Sequence, residues 1–151
     1  FVETCRALVG SIDYTTMKKV CDEASVYFYA MDVNDASVQD AISIYTRRCE
    51  EIEAIENVAV NFILAVEYLS VEDIDMLEAL VDCASYLPDL DKSVSGVKEA
   101  YAAFESAMAA YDASVAHANS EINATIEYVT YTSNRKGLGA FVTAILNALT
   151  K

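Results

Sequence analysis

VKEAYAAFESAMAAYDASVAHANSEINATIEYVTY, residues 97–131, is the stretch that decides the fold class. Within it Val97, Tyr101, Phe104, Met108, Tyr111, Val115, Ala118 and Ile122 recur at alternating gaps of four and three. Ile126 and Val129 continue the same face. An apolar seam with that period belongs to a helix that packs against other helices in a left-handed bundle. A second stretch, Ser37 to Leu69, repeats the pattern through Val38, Ile42, Tyr45, Cys49 and Ile52. It then runs on through Ile55, Ala59, Phe62, Val66 and Leu69.

Working outward, breaks are few because the chain holds one Pro and four Gly. They fall at Gly10-Ser11, Asp32–Asp35, near Ser70, at Pro88–Asp91 and over Ser133–Gly139. Between them no run of strict apolar–polar alternation reads as a strand. The expected helices are Val2–Val9, Thr16–Met31, Ser37–Leu69, Val71–Leu87, Val94–Tyr131 and Leu138–Leu149. Ser37 and Ser70, each followed by an acid three residues on, are the expected N-caps of the third and fourth. Helices of about 33 and 38 residues would span roughly 50 and 57 Å. Unless they break near Glu56-Asn57 and Asn119-Ser120, the bundle is elongated. The expected fold is therefore all-α: a single domain over residues 1–151, an elongated up-and-down bundle of five to six helices.

The 151 residues are 54% hydrophobic and 23% charged, which excludes a disordered or low-complexity chain. Net charge is −14, and it is concentrated. Between Cys49 and Asn134 stand 17 acids against Lys92 and Lys98, a net of −15; the flanks carry seven acids and eight bases. Such a surface repels phosphate backbones and anionic lipid, so nucleic acid is not an expected partner. The longest apolar run, Val58–Val66, is far short of the ~18 residues a membrane span needs.

Cys5, Cys21, Cys49 and Cys83 are even in number, and the chain opens on Phe1 rather than Met. Together these lead to the expectation of a secreted, extracellular protein with two disulfides. Residues face each other across a helical hairpin when they lie equally far from its turn. Cys21 and Cys49 are centred on Asp35, inside a turn, and Cys5 and Cys21 are centred on Asp13, also near one. Cys49 and Cys83 are mismatched by eight residues, ~12 Å along the axis, beyond disulfide reach. The favoured pairing is Cys21–Cys49 with Cys5–Cys83. No Cys-x-x-Cys spacing suggests zinc or redox chemistry. Asn123-Ala-Thr125 is a formal glycosylation sequon.

The opening Phe1-Val-Glu-Thr-Cys5 resembles the start of plant invertase and pectin-methylesterase inhibitors, which are secreted, acidic four-helix proteins with four disulfide-bonded cysteines. The pattern departs after these residues: that family's first two cysteines stand closer together, and its second pair lies much further on.

Chemistry is thin. His117 stands alone and lies off the seam, so a catalytic triad or two-histidine metal motif has no basis. Asp75, Glu78 and Asp82 share a helix face, where a solvated surface is the simpler reading than a cation site. Asp89-Leu-Asp91-Lys-Ser93 starts like a calcium loop but has Val94 where Gly is required. Gly137-Leu-Gly139 follows a helix rather than a strand and is not a phosphate cradle. No enzyme, metal or cofactor is expected.

Two features remain. Tyr45, Phe62, Tyr101, Phe104, Met108 and Tyr111 sit on the seams, and buried Tyr hydroxyls need partners. They are candidates to line a cavity for a small apolar ligand such as a fatty acid. Leu138, Phe141, Val142, Ile145, Leu146 and Leu149 form an amphipathic face after Arg135-Lys136. That face and the Val58–Val66 run are candidate surfaces for assembly with copies of the chain or with another protein. The expected function is non-enzymatic, through protein–protein interaction or self-assembly, with an extracellular lipid carrier as the alternative.

Overall fold

The computed structural model describes residues 1–10, 12–136 and 147–148. The described residues are 78% helical and include no strand. Five α-helices follow in order: α1 (Val2–Arg6), α2 (Tyr14–Ser25), α3 (Ala36–Tyr68), α4 (Met76–Ser85) and α5 (Val97–Lys136). Single 3₁₀ turns occupy Phe28–Ala30 and Leu87–Asp89. Neither candidate break point interrupts the long helices: α3 runs through Glu56-Asn57 and α5 through Asn119-Ser120.

With so little Gly and Pro, other residues delimit the helices. Asp13, Asp35 and Asp75 cap α2, α3 and α4, accepting from the backbone N–H of Thr16, Ser37 and Glu78 at 2.9, 2.8 and 3.1 Å. An ionised carboxylate is the stronger acceptor and also complements the positive end of the helix. This corrects the expected serine caps. The Ser37 hydroxyl donates to Asp35, and the Ser70 hydroxyl turns back to the Glu67 carbonyl at 2.7 Å, where it helps close α3. Ser25 and Ser85 end α2 and α4 the same way, on Asp22 and Asp82. The fourth helix consequently starts five residues later than expected. The loop before it holds Asp73 at φ 61°, a left-handed conformation that Asp tolerates better than most side chains.

The chain divides into two units, Phe1–Ala107 and Met108–Lys151, with the boundary inside α5. In the first, α1 packs on α2, and α1, α2 and α4 each pack on α3. One core cluster joins Cys5, Leu8, Tyr14, Met17, Cys21, Ala24, Ala41 and Ile52. Phe1, Phe28 and Tyr45 cover it as an aromatic trio with centroids 4.9–6.0 Å apart. Further along α3 the buried side chains are Ala59, Phe62 and Val66, with Ala79, Leu80 and Cys83 on α4 and Val97, Ala100 and Phe104 on α5. Phe62 meets Phe104 edge to face at 6.1 Å.

The expected disulfides are not there. All four cysteines are free, and no pair is at bonding distance. Distance from a turn fixes only height along a hairpin, not the separation or direction of the two Cβ atoms that a bond requires. Cys21 does lie beside Cys49, as that register implies, but as thiol beside thiol. The Cys5–Cys83 partnership fails outright: Cys5 belongs to the cluster with Cys21, whereas Cys83 is buried on α4.

Arg48 is the one buried charged residue among those described. Its Nε donates to the Leu8 carbonyl at 2.9 Å, its Nη2 to the Gly10 carbonyl, and its Nη1 to Glu51. Leu8 and Gly10 follow the end of α1, where carbonyls have no helical partner. Gly10 reaches this position at φ 99°. The fork thus ties the N-terminal segment to the middle of α3. Arg48→Ala should destabilise the fold by about 3 kcal/mol in urea titration, because it strands the buried Leu8 carbonyl and removes the tie to Gly10. Arg48→Lys should recover only a minor part of this, lacking the planar fork.

Candidate functional site

A cleft lies between the end of α3 and α4 in the first unit. Its volume is about 530 Å³, lined by Tyr68 from α3 and Ala79, Val81, Glu78, Asp82 and Ser85 from α4, with Asp75 at the cap. Asp75, Glu78, Asp82 and Ser85 recur at three- and four-residue intervals, so one helix face carries a row of acids. Asp75 stays exposed enough to line the cleft while its Oδ1 caps α4. None of the three carboxylates is in an ion pair among the described residues. Lys92, one of the two bases in this part of the chain, instead sits 3.2 Å above the Tyr101 ring.

Apolar side chains continue the cleft outward. Val60, Leu64 and Tyr68 stand one turn apart on α3, each more than half exposed, and Leu77 and Val81 are likewise exposed on α4. The Val58–Val66 run is therefore split by the helix. Ala59, Phe62 and Val66 point into the core, and Val60 and Leu64 point out.

The expected cavity-lining residues are only partly brought together. Phe62, Tyr101 and Phe104 are neighbours, with ring centroids 6.1 and 6.4 Å apart. Tyr45 lies instead in the N-terminal cluster with Phe28, and Met108 and Tyr111 fall in the second unit. None of the six lines any of the three described clefts. Of the expected assembly face, Leu138, Phe141, Val142, Ile145, Leu146 and Leu149 all lie outside the described residues. Asn123 is exposed on α5. In the second unit the seam of α5 faces solvent through Met108, Val115, Ile122 and Ile126. A cleft of about 710 Å³ there is lined by Ile122, Ile126 and Ala148 among others.

His117 is exposed, with Glu121 one turn away at 3.7 Å. The acids of α4 share a cleft, yet no group of three potential ligands among the described residues converges on a metal position. Three of the four thiols are held in the protonated form. Burial pushes Cys5 and Cys83 up from their ordinary range. Burial and the neighbouring Cys49 push Cys21 up to about 12. Tyr45, hydrogen-bonded with Cys49, is raised in the same way. A raised pKa disfavours the thiolate at Cys5, Cys21 and Cys83. Sequence reading missed Arg48 and the Tyr14 network, in which the Tyr14 hydroxyl donates to Glu56 Oε1 at 2.7 Å and Lys18 joins the same oxygen. Charged residues on a seam carry no periodic signal.

No protein family, curated protein or solved structure matches this chain.

The raised thiols set the alkaline behaviour. A group whose folded pKa lies above its unfolded value stabilises fully below the unfolded value and loses that contribution as pH rises toward the folded one. For Cys21 the window runs from the ordinary 9.0 to about 12. The thermal midpoint should fall steadily above about pH 9, and Cys21→Ala should flatten that fall. In denaturant four thiols should react with a disulfide reagent, and in the native protein Cys5, Cys21 and Cys83 should react slowly.

Proposed function

We propose that this chain is a non-enzymatic protein that works by protein–protein contact through the exposed apolar faces of its helices. The observation that carries the reading is the two-sided α3. Its inner side chains, Phe62 foremost, build the core, while Val60, Leu64 and Tyr68 repeat at helical spacing on the solvent side. Scattered exposed aliphatics are ordinary, but a row running on into a cleft and onto the next helix is a contact surface. The exposed seam of α5 adds a second such row in the other unit.

The carrier reading has less behind it. Its expected cavity would have to open the edge-to-face contact of Phe62 and Phe104, both buried. Extracellular residence drew on the even cysteine count together with the opening on Phe1, and the free thiols remove only the disulfide part of that argument.

If the outer row serves contact rather than folding, Val60→Ser with Leu64→Ser should change the unfolding free energy from urea titration by no more than about 0.5 kcal/mol per site. Phe62→Ala, two residues from either on the inner face, should cost about 3 to 5 kcal/mol. An outer double variant as unstable as the inner one would mean that the row is covered within the folded chain, and the contact reading would fail.

A further inference from the structure

We infer that the α3–α4 cleft receives a basic amphipathic helix from another protein. The inference rests on the contact reading above and names the partner's chemistry. The cleft is two-natured: Tyr68 and Val81 supply apolar walls over Ala79, and Asp75, Glu78 and Asp82 run along one side. Apolar surface extends two further turns up α3 through Leu64 and Val60. Asp75 to Ser85 covers about 15 Å along α4, the length of nearly three helical turns. A volume of about 530 Å³ has room for the side chains of an approaching helix, not for its backbone. An occupant must therefore lay a ridge of apolar side chains along the groove and place cations over the acids, the geometry of helix-in-groove recognition.

Charge selects between occupants. The three carboxylates are unpaired among the described residues, and the stretch from Cys49 to Asn134 carries a net of −15. A second copy of this acidic region would set like charges against one another, which opposes association and favours a cationic partner. Association with that partner is faster and tighter at low salt.

The test uses the full chain and a labelled synthetic helix of about 18 residues, Leu on one face and Lys on the other. Two controls accompany it: a Glu-for-Lys version and a scrambled peptide of equal composition. Fluorescence polarisation should show saturable binding of the first alone, weakening as salt rises. Asp75→Asn, Glu78→Gln and Asp82→Asn together should weaken it about tenfold, with Asn retaining the helix cap. Glu99→Gln, Glu105→Gln and Asp112→Asn, the same charge change made on α5, should alter it less than about twofold. Leu64→Ser with Val81→Ser should also weaken it, and none of these variants should shift the thermal midpoint substantially. Equal loss in both charge triples would show general attraction to an acidic protein and overturn the inference. Equal binding of the scrambled or acidic peptide, or no binding, would overturn it too. Light scattering separates the two levels. A dimer formed through the outer row, with no peptide bound, ends this inference while sustaining the wider contact reading.

Discussion

Helix α3 must bury one side and present the other, and the first unit is arranged around that constraint. Thirty-three residues without a break offer more apolar surface than α1, α2 and α4 can cover. These three, with Phe104 of α5, take the inner side, where Ala41, Ile52, Ala59, Phe62 and Val66 are buried. At its midpoint Arg48 reaches the carbonyls beyond α1, which no helical N–H can satisfy. A guanidinium taken out of water is tolerable only with such partners, so the clamp and the core depend on each other.

The cysteines follow the same economy. Cys5 and Cys21 fill the junction of α1, α2 and α3, and Cys49 beside them is half-buried. They behave as small apolar side chains, and burial raises Cys5 and Cys21 above the usual thiol range. Their value to the molecule is volume and polarisability. The half-buried Tyr45 lies beside Cys49, and burial with that neighbour raises its hydroxyl above the ordinary range.

What remains outside is informative because it is ordered by the helices. The outer row of α3 and the acid row of α4 border one cleft, so apolar and anionic character are adjacent without being mixed. Close packing holds these rows on rigid elements, and a surface of that kind costs a partner little ordering energy on this side. Elsewhere, Val26, Tyr27 and Tyr29 stand exposed after α2, while Phe28 turns in to meet Phe1 and Tyr45.

Helix identity and order were legible from periodicity, since spacing along one axis is a local property that neighbours do not alter. So was the grouping of Asp75, Glu78 and Asp82 on one face. Helix ends were legible in principle: Asp opens and Ser closes α2, α3 and α4, a signal hidden by looking for Ser caps and Gly stops. The tertiary structure alone decided which way the start of α3 turned. Along the start of α3 the buried line passes through Ala41 and Arg48, one residue from the expected Ile42 and Cys49, a rotation of about 100°. It also decided that Cys21 and Cys49 meet without a bond, and that Phe62 and Phe104 fill their space together. Those outcomes depend on separations between helices, which follow from packing across the whole unit and leave no mark in the spacing of residues along any one of them.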